Sequence, residues 1–142
     1  MAADVLGLTL ISLPLNSGTD IAPAFAVVDK EQATGVLVES DQLTFRLSGT
    51  IIDECLVRNL PAMHTWADEV RGGALISYGP ATTENVERTA IYVDRILKGA
   101  KIAELPFEEP TQIKLTINLR TARSIGLAIP LTLLARTDKV IE

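Results

Sequence analysis

Side chains able to bind a small molecule cluster just past four apolar runs of the chain. They are Asn16, Ser17 and Gly18; then Ser40, Asp41 and Gln42; then His64, Thr65 and Trp66; and finally Ser77, Tyr78 and Gly79. Hydroxyls, two amides, a carboxylate and two aromatics suit a small polar ligand held by hydrogen bonds and ring stacking. Each cluster also has a purely structural reading. Asn16, Ser17 and Gly18 make a turn that caps a helix, and Asp41 caps the helix that follows it. Ser77 satisfies a neighbouring backbone group, and Trp66 plugs the edge of the core. Tyr78 precedes Gly79 and Pro80 at a strand end, which puts its ring near the surface.

His64 is the sole histidine. As a catalytic base it needs a nucleophile and an orienting acid around it, and as a metal ligand it needs further strong ligands. The sequence has no G-x-S-x-G elbow to supply the nucleophile, so His64 either lines a cleft or is structural. Cys55 is the only cysteine, which excludes an intramolecular disulfide and a thiolate-rich metal centre. It follows Leu47 and Ile51 at four-residue spacing and reads as a small buried hydrophobe. Neither G-x-G-x-x-G nor G-x-x-x-x-G-K-[ST] occurs, so nucleotide binding loses support. No catalytic residue, cofactor or metal is expected.

The elements that must position these side chains alternate between strand and helix. Residues 8–15 and 35–38 read as buried strands, separated by a helix in which Ile21, Phe25 and Val28 share a face. Leu43, Leu47, Ile51 and Cys55 mark a second helix. Residues 61–65 form a short third strand, a short helix over 66–70 ends at Gly72-Gly73, and residues 74–78 form a fourth strand. The longest helix begins at Thr82 or Thr83. Its inner stripe is Val86, Ala90, Val93 and Leu97, its outer pairs are Glu84 with Arg88 and Asp94 with Lys98, and Gly99 closes it. A loop over 101–110 leads to an alternating strand through Ile113, Leu115, Ile117 and Leu119. A short helix over 121–125 follows, interrupted by Gly126 and Pro130, and a last helical turn or two runs to Glu142.

Strands separated by helices require right-handed crossovers and a mostly parallel sheet. The expected architecture is a three-layer α/β/α sandwich of flavodoxin-like character with five strands. In such a sheet, ligands bind beyond the carboxyl ends of the strands, which is where the four polar clusters fall.

Composition agrees with a single domain spanning residues 1–142. The 142-residue chain is 47% apolar and 22% charged, but only 4% aromatic, so its core is built from Leu, Ile, Val and Ala. The net charge of −5 argues against a nucleic-acid partner, because phosphate binding needs clustered Lys and Arg. No apolar run reaches the roughly 18 residues of a bilayer span. Residues 1–15 lack the basic start and small-residue cleavage site of a signal peptide.

Several segments resemble, in order and spacing, an ABC-type uncharacterised solute-binding family that includes tryptophan- and tyrosine-binding members. These are GGALISYGP from Gly72 to Pro80, YVDRILKGAK from Tyr92 to Lys101, the stretch from Leu105-Pro106 to Glu109-Pro110, LTINLRTARSIGLAIP from Leu115 to Pro130, and LLARTDKVIE at the end. The match is specific over residues 60–142 and looser over 4–59. The resemblance implies the second lobe of a type I periplasmic binding protein, in which two α/β lobes joined by a hinge close on a small molecule. It makes Asp41, Ser77 and Tyr78 the leading ligand contacts, with His64 and Thr65 next and Asn16 at the tip of the first strand. Gly79 would admit the backbone close to the ligand, and Asn118 would be a hinge residue. The implied partners are a small-molecule ligand and an ABC permease. The implied location is periplasmic, or cytoplasmic if the chain is made without a signal.

The sequence shows neither the family's first lobe nor its lipoprotein cysteine, so a lone lobe is expected to bind weakly. The segment over 111–142 is then expected to pack on a partner lobe or subunit. Leu119, Ile125, Leu127, Ile129, Leu133 and Leu134 would be left exposed, and two copies would pair by exchanging that segment. The runner-up reading is a stand-alone oligomeric interaction module without a transport function.

Overall fold

Short apolar runs bounded by Gly, Pro and polar residues become strands here, and the apolar stripes with period near 3.6 become helices. A computed structural model describes residues 2–108 and 112–142. In chain order its elements begin with α1 (Ala2–Val5), α2 (Ile21–Lys30), β1 (Val36–Leu37), α3 (Gln42–Arg46), α4 (Ser48–Val57) and β2 (Ala62–His64). They continue with α5 (Ala67–Arg71), β3 (Ile76–Pro80), α6 (Thr82–Leu97), β4 (Ile113–Asn118), α7 (Leu119–Ser124), α8 (Leu131–Leu134) and β5 (Lys139–Ile141).

The strands form one five-stranded sheet in sequence order, β1-β2-β3-β4-β5. The ladders β1–β2, β2–β3 and β4–β5 are parallel, and β3–β4 is antiparallel. This is the expected α/β fold with a mostly parallel sheet. The register sets His64 opposite Ser77, Ser77 opposite Thr116, and Thr116 opposite Lys139. Cross-strand partners share a face, so these four side chains form one row across four strands.

Two apolar clusters hold the helices around the sheet. Ile21, Phe25 and Val28 of α2 meet Ile51 and Cys55 of α4 over Val38 and Ala62, with Leu13 and Leu15 packed against them. Ile52, Val70 and Ala74 form the second cluster, flanked by Leu56 and Ile141. Arg58 bridges the first cluster's edge. Its guanidinium lies 5.0 Å from the Phe25 ring centroid and pairs with Asp29 at 2.8 Å and with Glu54. No helix among the described residues is long and apolar enough to cross a membrane.

Four expectations need correction. Residues 8–15 are extended but pair with no strand, and Leu13 and Leu15 contribute by packing alone. The helix expected through Leu43 and Cys55 is two helices, meeting at Leu47 just before the weakly helix-forming Ser48-Gly49-Thr50. The chain end is a strand rather than a helical turn. Asp138 accepts the Leu115 N–H at 2.8 Å and donates its own N–H to the Leu115 carbonyl at 2.9 Å, which starts β5 alongside β4.

The largest departure concerns α6. Its stripe is amphipathic as expected, yet the helix buries no residue: Val93 is 50% exposed and Leu97 81%. α6 is thus an apolar segment that nothing among the described residues covers, and the chain end returns into the sheet through β4 and β5 with Leu127 40% and Leu131 82% exposed beside it. The Asp94–Lys98 pair forms at 2.9 Å, and Arg88 pairs with Glu108 at 3.3 Å. The loop expected over 101–110 begins with a 3-10 turn at Ile102–Glu104, and Glu109 and Pro110 lie outside the described residues.

Candidate functional site

The carboxyl ends of β2 and β3, together with the starts of β4, β5 and α6, surround a cleft of about 540 Å³. Its floor is the part of the polar row formed by Ser77, Thr116 and Lys139. Ser77 and Thr116 face each other across the β3–β4 ladder and are 1% and 2% exposed. Side chains alternate along a strand, so Gly79 and Lys114 share their face. Thr65 forms a wall just past β2, Asp68 and Arg71 of α5 form a second, and Thr82 and Thr83 open α6 on a third side.

Gly79 is dictated by this packing. A Cβ there would lie 2.3 Å from the Thr65 carbonyl oxygen and 2.9 Å from its Cγ2. The backbone approach that the glycine permits is to Thr65, between two walls of the cleft. The charges are largely paired. Asp68 pairs with Arg71, and Lys114 lies 3.3 Å from Asp138. The Leu115 N–H bond, with Lys114 beside it, holds the Asp138 carboxyl below the usual aspartate range. Lys139 lines the cleft and has no ion-pair partner among the described residues.

Of the residues expected from sequence, Thr65, Ser77 and Gly79 converge on this cleft. His64 is in the same cross-strand row but lies 99% out of contact with solvent, at 1% exposed. Its Nδ1 is 3.1 Å from Glu69 Oε1, and the other Glu69 oxygen accepts the Trp66 N–H at 3.0 Å. Among the described residues His64 Nε2 has no hydrogen-bond partner. The acid that a catalytic histidine requires is present in Glu69, but no nucleophile is engaged on the other ring nitrogen.

Three expected contacts are placed elsewhere. Tyr78 alternates to the opposite face from Ser77 and is 55% exposed there. Asp41 caps α3: its carboxylate accepts the Thr44 N–H at 2.7 Å, and its own N–H donates to Thr44 Oγ1 at 2.9 Å. The Thr44 bond holds its pKa low. Asn16 sits in the turn before α2, its N–H donating to Asp20 Oδ2 at 2.8 Å.

Trp66 and Asn118 act as ties. The indole N–H of Trp66 donates to Ser40 Oγ at 2.7 Å. Asn118 accepts the Thr121 N–H at 3.1 Å as the cap of α7, and its amide donates to the Val70 carbonyl at 3.1 Å, so it anchors α7 to α5. Cys55 is buried, and burial pushes its thiol up to about 11, as suits a packed hydrophobe. Among the described residues no group of His, Cys, Asp and Glu is arranged to hold a metal ion.

Sequence reasoning missed Lys114, Thr116, Asp138 and Lys139. Lys114 and Thr116 carry the polar phase of an alternating strand, a pattern that ordinarily marks a solvent face. Only the β3–β4 register turns Thr116 inward, opposite Ser77. Asp138 and Lys139 depend on β5, a strand the sequence did not signal.

Residues 1–141 match a protein-family model described as ABC transporter substrate binding protein. Among solved structures, a conserved domain protein from Vibrio cholerae O1 biovar El Tor superposes with a TM-score of 0.87 at 23% identity, covering 98% of this chain and 47% of that one. An ABC domain from Streptococcus pneumoniae in complex with L-Trp gives 0.87 at 24% identity, covering 98% and 48%. A ligand-free, open substrate-binding protein with adhesive properties from Clostridium difficile gives 0.62 at 15% identity, covering 99% and 46%. These likenesses establish the fold, and the chain spans about half the length of each structure. No curated protein matches the sequence at a significant level.

Proposed function

This chain belongs to the ABC transporter substrate-binding protein family, and from that premise we propose that it supplies one wall of a solute trap, with the cleft over Ser77 and Thr116 as the ligand-facing surface. The observation that carries this reading is the pair of buried hydroxyls on the cleft floor. Neither Ser77 nor Thr116 makes a side-chain hydrogen bond among the described residues, although both are all but removed from solvent. Both hydroxyls are therefore open to bond a ligand seated in the cleft that they line.

The ligand is a small polar or aromatic organic molecule. The L-Trp held by the pneumococcal relative puts amino acids and aromatic acids first in any panel. The module binds its solute without transforming it and passes it to an ABC permease outside the cytoplasmic membrane. Isothermal titration with such a panel tests this. At least one compound should bind, and Ser77→Ala should weaken it roughly 5- to 10-fold, the value of about one hydrogen bond. A panel with no binder at millimolar concentration contradicts the reading.

The exposed face of α6 supports a further part of the proposal, that two copies associate through it. Val86, Val93 and Leu97 form an apolar stripe too large to leave in water comfortably, and a symmetric contact between two such helices buries it twice.

A further inference from the structure

The sheet has an unguarded edge at β1. The Val36 N–H donates to the Pro61 carbonyl and the Val38 N–H to the Met63 carbonyl, both at 2.9 Å, so these residues bond towards β2. Successive residues of a strand turn their backbone groups to opposite sides. The Leu37 N–H and carbonyl therefore point away from β2, and they meet no partner among the described residues. Natural edges are ordinarily protected by Lys, Pro or a bulge. This one presents Leu37, 69% exposed, within the uncharged run Gly35-Val36-Leu37-Val38.

A second unpaired stretch rests on the same core. The backbone of residues 9–15 makes no hydrogen bond among the described residues. Its burial nevertheless alternates as in a strand, with Leu13 and Leu15 half-buried and Ser12 and Pro14 exposed. Leu13 and Leu15 pack on the cluster formed by α2 and α4, and so does Val36 of β1. The stretch carries no charge and leaves Leu10 exposed. Two strand-like rims thus share one apolar floor, each with its backbone open, and they exchange no bond with each other.

We propose that β1 and residues 9–15 are the rims of a slot for one added strand, an extended and uncharged segment of another protein chain. Only an extended backbone presents donors and acceptors at the strand repeat to Leu37 on one side and to residues 9–13 on the other. The inward side chains of the guest land on the cluster beside Leu13 and Val36, and the outward ones lie beside Leu10 and Leu37. Both surroundings are apolar, so the guest carries Val, Ile or Thr along its length, as strands inside a parallel sheet do. A charged guest finds no counter-charge on either rim.

The test is amide hydrogen exchange and chemical-shift mapping on the isotope-labelled full chain, alone and with the blocked peptide acetyl-Val-Thr-Val-Thr-Val-amide. In the free chain the amides of Leu37 and of residues 9–13 should exchange freely, while those of Val36 and Val38 are protected. The peptide should shift the same open amides and slow their exchange at least about 10-fold, the effect of about one hydrogen bond. The same peptide N-methylated at alternate residues should bind at least about 10-fold more weakly. Leu37→Lys, which places a charge on the rim, should weaken the peptide similarly and leave the melting temperature within about 2 °C of the parent. Protection of residues 9–13 in the dilute free chain means that the slot is already closed and overturns the inference. Protection that grows with protein concentration assigns the rims to a second copy and overturns the foreign strand. No shift at millimolar peptide, or equal binding of the methylated peptide, overturns it as well.

Discussion

Gly79 shows how narrowly single residues shape the cleft. Any Cβ at this position meets the Thr65 carbonyl at 2.3 Å, a backbone atom that cannot rotate away. Gly79→Ala should therefore cost about 1–3 kcal/mol of stability, as overpacking does, measurable by urea denaturation. Asp138 makes a different prediction. Its carboxyl is held below the ordinary aspartate range, first by the Leu115 N–H and then by Lys114. A depressed folded-state pKa stabilises the protein above the unfolded value and loses that contribution as pH falls through the folded one. The melting temperature should thus decline as pH drops below about 4, and Asp138→Asn should melt lower than the parent at neutral pH with the gap closing in acid. A gap that is unchanged across that window would contradict the role given to Asp138. At this scale, the strand-end rule picked out Thr65, Ser77 and Gly79, which line the cleft, because it locates one edge of the sheet. It named Tyr78 together with them because an edge has two faces that it does not tell apart. Once Ser77 points to the cleft, alternation sends Tyr78 to the other side.

At the scale of elements, α6 and β5 separate what pattern can convey from what contact decides. The stripe of α6 is legible in sequence, but periodicity says only that a face is apolar, not what covers it. In this chain nothing among the described residues buries it. Leu97→Lys should therefore leave unfolding free energy within about 0.5 kcal/mol of the parent, as for an exposed position, while reducing self-association measured by light scattering. A large loss of stability in the monomer would mean that α6 packs on its own chain. Ile117 on β4 provides the contrast. It is fully buried, so Ile117→Ala should cost about 2–5 kcal/mol. β5 was illegible because it is three residues long and follows Gly126, Pro130 and a short helix. Its existence depends on Asp138 bonding the backbone of β4, a contact between positions 23 residues apart. The break between α3 and α4 was within reach of sequence, in the run Ser48-Gly49-Thr50, but the apolar spacing across it argued for continuity.

For the whole molecule, the α/β class and mostly parallel sheet were legible because strand–helix alternation forces crossovers. The order of strands was less so. The chain leaves β3, runs out along α6 and returns antiparallel as β4, so the polar faces of two strands meet and make the cleft floor. The proposed solute-binding role requires a solute to bind on that floor. The most direct measurement is the structure of the chain crystallised with the tightest ligand found by calorimetry. Ligand density is expected over Ser77 and Thr116, between Thr65 and the start of α6. Density instead at the opposite sheet face beside Tyr78, or along the outer face of α6 near Tyr92 and Phe107, would contradict it.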